Sequence, residues 1–494
     1  MLSPHELTPA ERELWDAFPA GRLVDLRTGV AEDDDPGAGE RWGVERAVRA
    51  EVLVALLLGA NERTEHAVAA LRLAGARITG RLFLDEAEVA HSLWLEGCWF
   101  DEEVSMTGAA TRTLSFQNCR MRRFDARLIR VGGRFILEHS VVNGQLSLID
   151  ARVAGSLHLS SSTLSLPGDW ALFAGGLELG GALFARRGFT VHGGTRLVGA
   201  QLPGLLLEGA SLGEGFGHSL YADKAEIMTL VCTDGFTAEA TISLRGAHIT
   251  DLLTFDTARL NGKDLALDCA RARIGDLQFT PATRPPGAVD LRDAQVGVVR
   301  DRHGAWPEAF HLQGLTYDTL QFDAGAGVPD DVTLRVGWLR KASGYAPQPY
   351  EQLAGWYRKI GNDTDARRVL LEKHRHRRRT LPLAGRVWGH ILDVTVGYGY
   401  RPWRAGAWLL ALTLLGSLVF QYQDRTPRNP GQTSPFHPVA YTLDLLIPIG
   451  GLGQRNSWYW ESTPAQWLAY ALIAAGWLLT TAVVAGVTRQ LNRT

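Results

Sequence analysis

The stretch LRLAGARITGRLFLDEAEVAHSLWLEGCWF, residues 71–100, decides the fold. Apolar–x–apolar pairs open at Leu71, Leu82 and Leu93, and a second pair follows each after five residues, as in Ala76-Arg77-Ile78. Alternation at period two means short strands with one buried face. The pairs recur at Val104, Leu114, Phe124, Phe135, Leu146 and Leu157, with glycine and polar residues between them. Segments this short are not helices, and they lack the length of hairpin strands. A parallel β-solenoid accommodates them, because every coil pairs with the next over one continuous core.

A second column sets the coil length. Ala76, Cys98, Cys119, Ser140 and Ser162 fall at steps of 21 or 22 residues. The spacing predicts one coil of about 22 residues with four sides, which stacks Cys98 on Cys119. That pair reads as small core filler, with a redox pair as the alternative. The pattern weakens over 165–220, where glycine is dense, and returns at Ile242, Leu253, Leu265, Val289, Phe310 and Leu320. The solenoid is therefore expected over 71–325, about eleven coils and roughly 50 Å at about 4.8 Å per coil.

Residues 1–70 read as a helical N-terminal cap. Thr8-Pro9-Ala10-Glu11 is a capping box, and a second helix is expected from Arg41 to Leu58. Asp33-Asp34-Asp35 lies in an acidic loop that reads as solvated. Past the solenoid, 326–400 reads as a helical joint. Tyr350, Leu353, Ala354 and Tyr357 keep a helical spacing, Gly361-Asn362-Asp363 makes a turn, and a basic tract follows at Arg375, Arg377, Arg378 and Arg379.

Residues 401–494 read as a two-span membrane region. Residues 405–423 and 462–488 carry no charge, and a span needs about 20 residues. Trp403, Trp408, Tyr422, Trp458 and Trp467 fall where interfacial aromatic residues belong. Arginine crowds the segment before the first span and recurs at Arg489 and Arg493, so both termini are expected in the cytoplasm of a multi-pass cell-membrane protein. The loop 435–453 reads preferentially as a surface-lying amphipathic helix, with a re-entrant segment as the alternative. Thr395-Val396-Gly397-Tyr398-Gly399 spells a potassium-channel filter, but it precedes both spans rather than lying between them.

Composition agrees. The chain has 494 residues, 51 basic and 53 acidic, with net charge −2. By segment the net charge is −7 over 1–70, −5 over 71–325 and +10 over 326–494. A basic excess beside the most apolar sequence points to lipid rather than nucleic acid: the bilayer, with anionic head groups at Arg375, Arg377, Arg378 and Arg379. Four cysteines exclude a disulfide scaffold.

Units such as Ala76-Arg77-Ile78 and Ala151-Arg152-Val153 resemble the pentapeptide-repeat type of right-handed quadrilateral β-helix. The departure is one extra residue per eleven and large residues in half of the small slots. With the Arg tract, the segment TVGYGYRPWR (395–404) and the two apolar stretches, the chain resembles bacterial membrane-anchored proteins commonly labelled membrane-associated oxidoreductases. The resemblance implies a mainly β fold with a helical C-terminal region, and a redox activity. No dinucleotide fingerprint supports that activity: Gly213, Gly215 and Gly217 approach the spacing, but no helical pattern follows. No haem, iron–sulfur, HExxH, GxSxG or phosphate-loop motif occurs. His374 and His376 sit among arginines that would repel a metal ion. Asp251, Asp256, Asp264, Asp268 and Asp276 are candidate carboxylates of a carbohydrate-active face. No catalytic, cofactor-binding or metal residue is assigned. The expected function is a membrane-anchored cytoplasmic scaffold with a protein partner on the solenoid; the alternatives are an oxidoreductase and a channel-like or mechanosensing protein.

Overall fold

The computed structural model describes residues 6–61, 67–302, 304–323, 331–342, 344–397, 403–428, 435–447 and 451–491. It divides into two compact units, 1–352 and 353–494.

The first unit is a parallel β-solenoid. One inward ladder shows its whole length: Leu71, Leu93, Leu114, Phe135, Leu157, Leu183, Leu205, Leu230, Leu253, Leu277, Val299 and Leu320 are successive parallel partners. Those twelve rungs make about eleven coils, as the period predicts. Four short strands form each early coil, as in Ser92–Glu96, Trp99–Phe100, Val104–Ser105 and Ala110–Thr111. From Thr163–Phe173 onward, longer strands such as Glu226–Val231 and Arg273–Phe279 run through former corners.

The small-residue column lies where its spacing places it. Ala76, Cys98, Cys119, Ser140 and Ser162 are all fully buried. The Cys119 and Ser140 amides donate to the Ser140 and Ser162 hydroxyls of the coil above, at 2.9 and 3.0 Å. The Cys98, Cys119 and Ser140 side chains bond the carbonyl two residues back in the same turn, while Ala76 fills the same slot with a methyl alone. Each coil also turns through a left-handed residue. Glu86, Gly108, Leu128, Asp150 and Gly176 share one corner, all with φ between 51° and 70°. Glycine at only some of these positions blurs the repeat in the sequence without changing the backbone.

The N-terminal segment contributes strands as well as helices. Helix α1 (Pro9–Ala17) carries the expected capping box, Thr8 with Glu11. The expected helix over Arg41–Leu58 is shorter. Only Ala50–Leu57 (α2) is helical, because Ala47–Arg49 is extended and pairs with Arg77–Thr79. Val24–Asp25 likewise pairs with Leu73–Ala74. An open strand edge captures backbone that local propensity would leave helical. Glu11 is fully buried beneath Arg49, whose guanidinium donates at 2.8 Å.

At the other end, α3 (Asp331–Lys341) docks through Arg335, which makes two 2.8 Å bonds to Asp301. Helix α4 (Gln348–Lys359) opens with Gln348 and Gln352, which satisfy the edge of the last coil. Gln348 accepts from the Gly314 amide and donates to the Leu315 carbonyl, and Gln352 donates to the Tyr317 carbonyl. Side-chain amides thereby stand in for the missing next strand.

The second unit is helical: α5 (Asp363–Thr380), α6 (Leu383–Val396), α7 (Trp403–Gln421), α8 (Pro438–Leu446), α9 (Gln454–Ser457) and α10 (Thr463–Leu491). Among the described residues one helix, α7, is long and apolar enough to cross a membrane, not two as expected. The second stretch is a helix, but α10 opens on Thr463, Pro464 and Gln466 and carries Trp467, Tyr470 and Trp477, which lower its hydropathy. Much of its apolar end, over 482–488, falls outside the described side chains. Thr395 and Val396 end α6, while 398–402 lie outside the described residues.

Of the loop 435–453, the described residues 435–447 and 451–453 include helix α8, and 448–450 lie outside them. Helix α8 sits between α7 and α10: Gly416 of α7 makes room for Thr442, and Gly476 of α10 makes room for the Leu446 backbone. Phe420, Tyr441, Leu445, Leu446, Trp460, Ala465, Ala469 and Leu472 form one buried cluster around it.

Candidate functional site

The solenoid carries its most distinctive surface where the sequence loses its period. Strand Thr163–Phe173 loses coil register between Ser165 and Trp170. Three loops from successive coils then pack backbone on backbone, and glycine makes this possible. A side chain at Gly193 would strike the carbonyls of Leu166 and Asp169, and one at Gly194 would strike the Trp170 indole. At Gly215 it would strike the Asp169 carbonyl and the Gly194 amide. Of the glycines that approach a dinucleotide spacing, Gly213 and Gly215 pack against neighbouring backbone while Gly217, at φ +79°, has open space around it, and the strand His218–Tyr221 follows them.

Rings from separate coils meet on this knot. Trp170 stacks on Tyr221 with centroids 5.9 Å apart and planes 17° apart. Phe216 and His218 lie 5.4 and 6.3 Å from Trp170, and His218 lies 4.9 Å from Tyr221. Arg196 is the register partner of both Phe173 and Tyr221, and its guanidinium lies 5.5 and 5.1 Å from those rings. Cation–π contact holds the arginine flat and stiffens the cluster. Phe216 is 64% exposed, and the Asp169 and Glu214 side chains are exposed in the same loops. The arrangement is a rigid aromatic platform with charge of both signs at its edge. None of these rings belongs to the apolar doublets; their one signal in the sequence is aromatic residues inside a glycine-dense gap in the repeat.

A second concavity, about 610 Å³, runs across the later coils. The outward column His248, Arg273, Gln295 and Thr316 lines it, beside Gly275 and Gly297. It is open and polar, unlike the enclosed apolar pockets that hold small molecules.

The candidate carboxylates do not converge. Asp251 and Asp256 share one coil but bond in opposite directions, Asp251 accepting from Thr229 of the coil before and Asp256 from Thr280 of the coil after. Asp264 lies in a turn, and Asp276 is paired with Arg300 at 2.6 Å. Asp268 lies on the other sheet, beside Arg245. Burial, with Asp290 and Asp223 nearby, pushes its carboxyl above the usual range. Among the described residues no group of three metal-ligating side chains occurs. All four thiols are buried; burial raises the Cys119, Cys232 and Cys269 pKa values, and neighbouring Cys98 adds to the rise at Cys119. Such thiols are poor nucleophiles.

In the basic tract, Arg375 and Arg378 converge on Asp393 of α6, at 3.0 and 3.3 Å. Burial opposes ionisation of Asp393, but the Arg375 hydrogen bonds and charge hold its carboxyl below the usual range. Two of the four expected lipid-facing arginines are thus engaged within the protein. No protein-family model, curated protein or solved structure matches the chain.

Proposed function

We propose that this chain is a membrane-anchored cytoplasmic interaction platform, in which the solenoid presents the Trp170–Phe216–Tyr221 surface to a protein partner. One observation carries the platform reading: a half-buried aromatic cluster, built at the cost of the repeat, that presents exposed Phe216 at the surface. Trp, Tyr and Arg are the residues that anchor protein interfaces, and Arg196 is already ordered before a partner arrives.

The anchoring follows from which way the helices face. Leu410, Leu414 and Leu418 form a stripe on α7, each more than half exposed, while small Ala405 and Gly416 are buried. On α10, Trp467, Trp477 and Leu478 face out and Ala465 and Ala469 face in. Apolar residues outside and small residues at the helix contacts suit lipid as the solvent. In this reading α10 is the second span, both termini are cytoplasmic, and the basic tract Arg375, Arg377, Arg378 and Arg379 lies against anionic head groups, with Arg377 and Arg379 its exposed members. Residues 1–70 cap the first coil, and the solenoid winds right-handed, as parallel crossovers do in about 98% of cases. Nucleic acid is not among the partners. The oxidoreductase alternative would place its chemistry elsewhere than on the four buried thiols, and no observation favours it over the platform.

The test captures the full chain from cells in mild detergent after crosslinking, beside a Trp170→Ala/Phe216→Ala variant with an unchanged circular dichroism spectrum. Proteins held by the wild type and lost by the variant support the reading; identical sets refute it. Impermeant thiol reagent on intact cells should label Asp424→Cys and spare Glu102→Cys.

A further inference from the structure

A cavity of about 230 Å³ lies where α3 docks on the last coils, and its walls carry more positive charge than the protein neutralises. Arg284, Arg302, Arg335 and Lys341 line it, against one carboxylate, Asp301. Arg335 is spent on Asp301 through its two 2.8 Å bonds. The other three cations form no ion pair among the described residues. Arg284 and Arg302 donate to backbone carbonyls, those of Gly304 and Pro281, which carry only partial charge. Lys341 is exposed at the end of α3.

The floor of the cavity is aromatic. Trp306 and Trp338 lie 5.3 Å apart, each 8% exposed. Trp306 gives its indole N–H to Asp301, but the buried N–H of Trp338 has no acceptor among the described residues. An orphaned buried donor is costly, and three cations around one opening repel one another. An anion inside the cavity lowers both costs.

The charge excess sets the class of that anion. Four cations against one carboxylate leave a local charge of +3. A carboxylate would bring one negative charge, whereas a terminal phosphate brings about 1.5 to 2 and three strong acceptor oxygens. Guanidinium groups match phosphate oxygens in pairs, and lysine adds a point charge. The volume lies below the roughly 300–1,000 Å³ of drug-sized pockets, so the group inside must be compact. We infer that this cavity binds a terminal phosphate group, with Arg284, Arg302 and Lys341 on its oxygens and the Trp338 N–H as a further donor. The phosphate belongs to a soluble monoester or to a lipid head group, which present the same chemistry. Bound there, it ties α3 to the turns of the last coils and clips that end of the solenoid. The inference needs neither the platform nor the membrane reading.

Hydrogen exchange on the full chain, in phosphate-free detergent solution, tests it. A ligand at 100 times its Kd slows opening of its site about 100-fold. The amides of α3 should therefore slow by up to that factor as inorganic phosphate rises through the millimolar range, and sodium chloride at matched ionic strength should leave them unchanged. Dihexanoyl phosphatidic acid is the second probe. Slowing at a lower concentration than phosphate assigns the site to a lipid head group; slowing at an equal or higher concentration assigns it to a soluble phosphate. Arg284→Gln/Lys341→Gln alters two exposed positions and should keep the circular dichroism spectrum. That variant should need at least about tenfold more phosphate for the same slowing. No slowing by either probe would overturn the inference, as would equal slowing by chloride or an unchanged phosphate response in the variant.

Discussion

Arg335→Met leaves the Asp301 carboxylate buried without its cation. The pair is 3% and 2% exposed, joined by two 2.8 Å bonds, and Asp301 also accepts from the Trp306 indole at 2.6 Å. Breaking a buried pair on one side costs about 3–5 kcal/mol. The loss falls on the docking of α3 against the last coils, where Trp306, Phe310 and Trp338 stack with centroids 5.3 to 5.9 Å apart. Hydrogen exchange on the full chain in detergent reads it directly. At about 1.4 kcal/mol per tenfold, amides of α3 and of Gln295–Arg302 should exchange on the order of 100-fold faster or more. The early coils should not change, since each coil touches only its neighbours. Adding Asp301→Leu removes the orphaned charge. The double variant should recover most of the loss, keeping a deficit of about 1–3 kcal/mol for the Trp306 N–H left without its acceptor. An Arg335→Met protein within about 1 kcal/mol of wild type, or a double variant no better than it, would refute the reasoning.

Cys98→Arg and Cys119→Arg should abolish folding, because each buries an unpaired charge in the core, whereas Cys→Ala at either site should leave the circular dichroism spectrum unchanged. Gly97→Ala should lower stability by about 1–2 kcal/mol in a urea titration: φ is +56°, and no atom lies within 4 Å of the added methyl, so the cost is conformational alone. Gly108→Ala, at φ +70°, should cost about the same, since its methyl meets only the exposed Glu86 carboxylate, which can swing aside. The Glu11 site should weaken in acid. Burial opposes ionisation of Glu11, yet the Arg49 and Thr8 hydrogen bonds hold its pKa below the usual value. Its stabilisation is therefore complete above the unfolded pKa, about 4.3, and is lost as pH falls through the lower folded value. Exchange of the α1 amides should rise over that window in the wild type, and a flat response would refute the assignment.

The solenoid, its extent and its small-residue column were legible in the sequence because a coil repeats its environment every turn. Leu71, Leu93 and Leu114 meet the same neighbours, so the same residue type is required each time. The apolar helix within 405–423 was legible for a similar reason, since one apolar requirement runs over its whole length. What broke the repeat was not legible. Trp170, Arg196, Phe216 and Tyr221 meet only because glycines at 193, 194 and 215 let three backbones touch, and no local pattern records that contact. The strand at Ala47–Arg49 was hidden too, because an open sheet edge, and not its own residues, makes it extended. The place of α8 rests on Gly416 and Gly476, which lie 26 and 30 residues from their partners Thr442 and Leu446. A one-dimensional pattern reports contacts that recur at a fixed step; contacts made once, between distant segments, exist only in the tertiary structure.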